Sequence, residues 1–167
     1  MMGNTTIAWT DKTWNPTTGC SKVSQGCKNC YAERIFHRPY PGRAFTDVRC
    51  HPERLDQPLH WRRPCRVFVN SMSDLFHEDI EQTFIAKVFE VMNEAHQHTF
   101  QVLTKRPERM LKMLSNRVWP WAVTIDKNPQ PNVWLGVSVE DQATADERIP
   151  LLLQTPAAVR FVSYEPA

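Results

Sequence analysis

From residue 66 onward the chain alternates short apolar runs with stretches where apolar residues recur every three or four positions. Arg66–Asn70 (RVFVN) is rich in β-branched and aromatic residues and predicts a buried strand. Over 80–96, Ile80, Phe84, Val88, Val91 and Ala95 share one face of an amphipathic helix. Phe100–Thr104 (FQVLT) predicts the next strand. Pro107 suits the first position of a helix that sets Met110, Leu111 and Leu114 on one side. Val133–Val139 (VWLGVSV) predicts a third strand, Asp141–Leu153 a helix broken or restarted at Pro150, and Val159–Tyr164 (VRFVSY) a fourth strand.

The first 65 residues lack this regularity. A short extended stretch before Cys20 and a helix over Tyr31–His37, with Ile35 and Phe36 as its apolar side, are expected there. Pro39, Pro41 and Gly42 end that helix, and Pro52, Pro58 and Pro64 leave room only for short helical turns. Strands alternating with helices imply βαβ units and a parallel α/β sheet of about five strands. A closed eight-stranded barrel needs roughly 200 residues or more. The 167 residues therefore predict a partial (β/α) barrel or an open sheet. One domain is expected, with a cysteine-loop region over 1–65 and regular βα units over 66–167.

Composition narrows the setting. Hydrophobic residues make up 41% of the chain, enough for a core, so a disordered tail is excluded. A net charge of +2 neither demands nor forbids a nucleic-acid partner. No stretch approaches the roughly 20 apolar residues of a membrane span, and Met1–Thr10 lacks the apolar core of a signal peptide. A cytoplasmic location is the expectation. Five cysteines, an odd number without an export signal, argue against a disulfide framework and for metal or redox chemistry.

Three of the five, Cys20, Cys27 and Cys30, stand together in GCSKVSQGCKNCYAER with the spacing C-x6-C-x2-C. Two thiolates two residues apart can grip one metal, and a third can loop back to it. Gly19 and Gly26 each precede a cysteine and let the backbone turn tightly. Two centres suit three thiolates. One is zinc with a fourth ligand from His37, Cys50 or His51. The other is an iron–sulfur cluster with one iron left open. Buried free cysteines and redox-active thiols are the plainer alternatives.

In parallel α/β folds the site lies at the C-terminal ends of the strands, and each predicted strand here ends polar. The first runs into Asn70, Ser71, Ser73 and Asp74, the second into Thr104, Lys105 and Arg106. The last two end in the same pattern, with Ser138 and Glu140 in one and Ser163 and Glu165 in the other. Residues two apart share a side of a strand, so these groups converge if that side faces the interior. The plainer reading is that Asp74, Glu140 and Asp141 cap helices or turns, with Pro166 making a cap at Glu165 less natural. Lys105 and Arg106 could meet an anionic substrate, although basic loop residues are commonly solvated. His77 is placed to face the site, while His96 and His98 end a helix, where cations favour the dipole. Trp9, Trp14, Trp61, Trp119, Trp121 and Trp134 read as core or lid packing.

The stretch Thr10–Arg34, containing TWNPTTGCSKVSQGCKNCYAER, resembles an uncharacterised family common in bacteriophages and prophages. VFVNSMSDLFH at 67–77, LTKRPERM at 103–110, WLGVSVED at 134–141 and RFVSYEP at 160–166 extend the resemblance over nearly the whole chain. That family is itself similar to radical S-adenosylmethionine (SAM) proteins. The resemblance implies a partial (β/α) barrel and a four-iron four-sulfur cluster held by Cys20, Cys27 and Cys30. Its open iron would bind SAM, whose reductive cleavage gives a 5′-deoxyadenosyl radical that abstracts hydrogen from a substrate. On that reading the converging polar strand ends, Asn70, Ser71, Ser73, Asp74, Thr104, Lys105, Ser138, Glu140, Ser163 and Glu165, are the expected partners of the cofactor's ribose and ammonium. The commonest radical SAM spacing has a shorter first gap than the six residues here. The residue before the last cysteine is usually aromatic in that superfamily; here it is Asn29, with Tyr31 the nearest aromatic substitute. Members of the phage family continue past the YEP segment, so this chain resembles a version lacking its C-terminal part.

Three functions follow as expectations. The first is a radical SAM-like enzyme acting on an unknown substrate, with nucleotide or nucleic acid the fair guess. The second is a zinc-stabilised binding module. The third is an inactive fragment that needs a C-terminal partner, which would expose an apolar edge on Val159–Tyr164.

Overall fold

The computed structural model describes residues 5, 7–115 and 129–165. Its centre is a five-stranded sheet in the order β1 (Lys12–Trp14), β4 (Arg66–Val69), β5 (Thr99–Thr104), β6 (Val133–Val139) and β7 (Val159–Tyr164). Every neighbouring pair is parallel, and the sheet does not close into a barrel. A two-stranded antiparallel ribbon joins β2 (Thr17–Thr18) to β3 (Arg49–Cys50). The helices are α1 (Tyr31–Phe36), α2 (Gln82–Glu94), α3 (Pro107–Leu114) and α4 (Gln142–Gln154). Trp119, Trp121 and Pro166 lie outside the described residues.

Strand alternation divides the sheet into two faces. Trp14, Val67, Val69, Phe100, Val102, Leu135, Val137 and Val139 turn to one side and join a single apolar cluster with Ile85, Val88, Phe89 and Met92 of α2, Met110 and Leu114 of α3, and Leu152 of α4. The other face carries Phe68, Leu103, Ser138 and Ser163 toward a cavity. There Gly136 stands opposite Phe161, and a Cβ on it would come within 2.6 Å of the Phe161 ring. β7 is an edge strand. Its Val162 and Tyr164 continue the helix-covered face past its cover and are 43% and 68% exposed, as is Leu153 of α4 at 65%.

Four local expectations are corrected. The helix after β4 starts at Gln82, because a turn closed by Ile80 N–H donating to His77 O at 3.1 Å delivers Ile80 to the core from outside the helix. α4 runs unbroken through Pro150. Both Pro150 and Asp146 are exposed, so the carbonyl that proline leaves without a partner lies on the water side. On α3 it is Met113 rather than Leu111 that joins the fully covered face. His98 does not extend a helix either: α2 ends at Glu94, and His98 is buried, its ring nitrogens at 3.4 Å from Cys65 Sγ and 3.1 Å from Pro58 O.

Candidate functional site

The cysteine loop is shaped first by Gly19. Its φ of +89° is one that glycine tolerates, and a Cβ there would sit 2.5 Å from Asp47 O. Gly19 N–H donates to Met72 O at 3.0 Å and Cys20 N–H to Phe45 O at 2.8 Å, which hangs the loop between the ribbon and the end of β4. Gly26 serves a different need. Its φ is not positive; it lacks a Cβ because one would press to within 2.9 Å of Glu140 Cδ. The loop then makes a 3-10 turn over Gln25–Cys27 and enters α1 at Tyr31. Tyr31 Oη donates to Ser71 O at 2.7 Å, tying the start of α1 to the end of β4.

Two buried carboxylates of the regular half brace this loop, Glu140 directly and Asp74 through Arg106. Glu140 accepts from Ser24 Oγ and, at 3.3 Å, from Gly26 N–H, while Arg148 Nη1 donates to its other oxygen at 2.9 Å. Burial works to raise the Glu140 carboxyl, but the Ser24 hydrogen bond and the Arg148 charge outweigh it and hold it below its ordinary value. Asp74 accepts from Thr104 Oγ1 at 2.7 Å, Lys105 N–H at 3.0 Å, Phe76 N–H at 3.0 Å and Arg106 Nη1 at 3.3 Å. Its role is therefore a turn and a clasp, not the start of a helix. Asp141 does cap α4, in a reciprocal capping box with Thr144.

Arg106, expected among solvated loop residues, is 7% exposed. Its guanidinium reaches Cys20 Sγ at 3.5 Å, Ser21 O at 3.2 Å and Ser21 Oγ at 2.9 Å. Burial pushes the Cys20 thiol up to about 11, with the Asp74 charge adding to it and Arg106 opposing. His77 is buried and hydrogen-bonded through Nε2 to Ser21 Oγ at 2.8 Å.

Cys20, Cys27 and Cys30, together with Asn70, Ser71, Ser73, Asp74, Thr104, Lys105, Ser138, Glu140, Ser163 and Glu165, all line one cavity of about 610 Å³. Within it their states differ. Asn70 has a φ of +63° and is 2% exposed; Thr17 N–H reaches its Oδ1 at 3.4 Å, while its Nδ2 has no partner among the described residues. Glu165 is half open, accepting from Ser138 Oγ at 3.2 Å and Ser163 Oγ at 3.3 Å and pairing with Lys105 Nζ at 3.1 Å. Ser73 Oγ turns back to Thr17 O at 2.9 Å, and Ser71 Oγ to Asn15. The cavity floor is apolar: Trp9 lies 4.7 Å from Phe68 and 6.5 Å from Phe161, centroid to centroid. Sequence reasoning did not single out Ser21, Ser24 or Arg148; isolated serines and a helical arginine carry no local signal of what they touch.

The donor set can be tested against a metal group. All five cysteines are free thiols. His37, Cys50 and His51 do not line the cavity, and His51 Nε2 is bonded to Thr18 Oγ1 at 2.7 Å. Among the described residues, no three His, Cys, Asp or Glu side chains stand close enough to hold a single ion. One ion draws its thiolates to about 2.3 Å from a single point, whereas a cluster spreads its ligands over separate irons. Cys20, Cys27 and Cys30 line one cavity that His37, Cys50 and His51 do not line, a donor set with the chemistry of a three-thiolate cluster site.

An open parallel sheet of βα units, carrying a looped cysteine segment at the C-terminal ends of its strands, is the class that fold and cavity define. The chain belongs to a family described as "Protein of unknown function (DUF5131)", whose model matches residues 4–167. Comparison with curated proteins gives no match. Among solved structures, it is similar to a cysteine-to-serine mutant of spore photoproduct lyase, with a TM-score of 0.65 at 12% identity. It is also similar to spore photoproduct lyase complexed with dinucleoside spore photoproduct, with a TM-score of 0.60 at 11% identity. Each likeness covers 100% of this chain and 48% of the other, so the chain spans about half the length of those proteins. Among the described residues, no helix is long and apolar enough to cross a membrane.

Proposed function

We propose that this chain is a radical SAM-like iron–sulfur protein whose cluster is held by Cys20, Cys27 and Cys30. The observation that carries the reading is that the three thiols and the polar ends of four parallel strands line one cavity. The fold shared with spore photoproduct lyase, a radical SAM enzyme, supports it. When bound, the cluster supplies the electron that cleaves SAM reductively. The chain's own residues divide the remaining work. Asp74 and Glu140 spend their oxygens on the protein and shape the loop. Glu165 is the carboxylate left facing the cavity, suited to the ammonium or ribose hydroxyls of SAM, with Ser138, Ser163 and Lys105 fixing its orientation. Asn70 Nδ2, buried and without a partner among the described residues, offers a donor to a carboxylate or carbonyl.

The apolar floor of Trp9, Phe68 and Leu103 suits a flat ring, and the dinucleoside bound by a structural relative supports a substrate related to nucleic acid. The test is anaerobic reconstitution with iron and sulfide, reduction, and assay for 5′-deoxyadenosine. The reading predicts iron uptake and SAM cleavage; tight zinc without iron contradicts it. The exposed face of Val162, Tyr164 and Leu153 favours a companion reading, in which a partner segment covers β7. On that reading, Val162→Asp lowers binding of an apolar fluorescent dye without unfolding the chain.

A further inference from the structure

Cys20 differs from its two companions in what stands behind it. Among the described contacts, Cys20 Sγ alone of the three thiols meets a charged donor, Arg106 Nη1 at 3.5 Å. The guanidinium is not free to leave. Nη1 also bonds Asp74 Oδ2 at 3.3 Å, Nε bonds Glu78 Oε2 at 3.0 Å, and Nη2 donates to Ser21 O at 3.2 Å and Ser21 Oγ at 2.9 Å. His77 secures the same serine. Its Nδ1 accepts from Asp79 N–H at 3.2 Å, so Nε2 carries the proton and donates to Ser21 Oγ at 2.8 Å. Ser21 Oγ therefore accepts twice, and the segment Cys20–Ser21 is fixed by donors from two separate elements.

We infer that Arg106 is a positioning residue for the metal centre, presenting a fixed positive charge and a hydrogen bond to the first cysteine ligand. This rests on the iron–sulfur reading above. A donor and a positive charge at a ligand sulfur favour the more negative, reduced state, so Arg106 raises the reduction potential of the cluster. The placement is local in origin. Arg106 precedes Pro107, which starts α3, and is the N-cap residue of that helix, with φ −122° and ψ 61°.

The experiment is a spectroscopically monitored redox titration of the reconstituted chain, the Arg106→Gln variant and the Arg106→Lys variant, with iron counted in each. The expected result is unchanged iron per chain, a more negative midpoint in Arg106→Gln, and recovery of most of that shift in Arg106→Lys, which keeps the charge. If Arg106→Gln does not fold because Asp74 loses its charged partner, the Arg106→Gln/Asp74→Asn double variant is compared with Asp74→Asn, so that the two differ in the arginine alone, and the same negative shift is expected. An iron-bearing variant with the parent's midpoint overturns this inference alone. A parent chain that takes up no iron overturns the iron–sulfur reading, and this inference with it.

Discussion

In the regular half, the side chains that meet are Val67, Val102, Leu135, Val137, Phe89 and Met92, apolar groups packed between the sheet and α2–α4. In residues 19–30 the fixing contacts are polar and come from far along the chain: Arg106 to Cys20 across 86 residues and Glu140 to Ser24 across 116. Hydrophobic burial is non-directional and tolerates small shifts, whereas these bonds vanish when one partner is lost. The comparison teaches that the cysteine loop is held by polar bonds, charges of the regular half prominent among them, rather than by an apolar core of its own.

Removing a clasp tests that division. Asp74→Ala strips Thr104, Lys105 and Arg106 of their shared acceptor and leaves the buried Arg106 guanidinium with the exposed Glu78 as its remaining carboxylate among the described residues. It should cost about 3–5 kcal/mol, read by urea unfolding. Glu140→Ala leaves Arg148 unpaired where both side chains are 3% exposed, and should cost about 3 kcal/mol. It should also speed tryptic cleavage at Lys22 and Lys28 under conditions where the regular half stays folded. Equal protection of the loop in Glu140→Ala and the parent would break the comparison. Gly19→Ala forces both a positive φ and a backbone clash on the loop, and should cost about 1–3 kcal/mol.

A smaller effect is the pH dependence of the same clasp. Glu140 lies below its ordinary 4.5 in the folded chain, so its contribution is full above 4.5 and is lost as pH falls through the depressed folded value. The urea midpoint should fall between neutral pH and pH ~3, and fall less in Glu140→Gln. At the bottom of the scale, Leu153→Gln on the exposed side of α4 should change stability by no more than about 0.5 kcal/mol.

The contrast also explains what the sequence made legible. Periodicity located β6 and β7 to the residue, because each apolar run has sharp polar ends. It misjudged the start of α2, because Ile80 is buried from a turn that happens to keep helical spacing. Pro150 was read as a break, because nothing local says that the abandoned carbonyl faces water. At the site, the polar strand ends were legible as a set through the alternation of Ser138 with Glu140 and Ser163 with Glu165. Their division of labour was not. Whether Asp74 or Glu140 faces a ligand or the protein depends on Arg106 and Arg148, which meet them only in the folded chain.

The most direct measurement is the metal content of protein prepared without oxygen, for the parent and for Cys20→Ala, Cys27→Ala and Cys30→Ala. The account predicts about four iron and four labile sulfide per parent chain and loss of the cluster in each variant. Zinc without iron in the parent, or a Cys30→Ala chain that keeps all its metal, would contradict it.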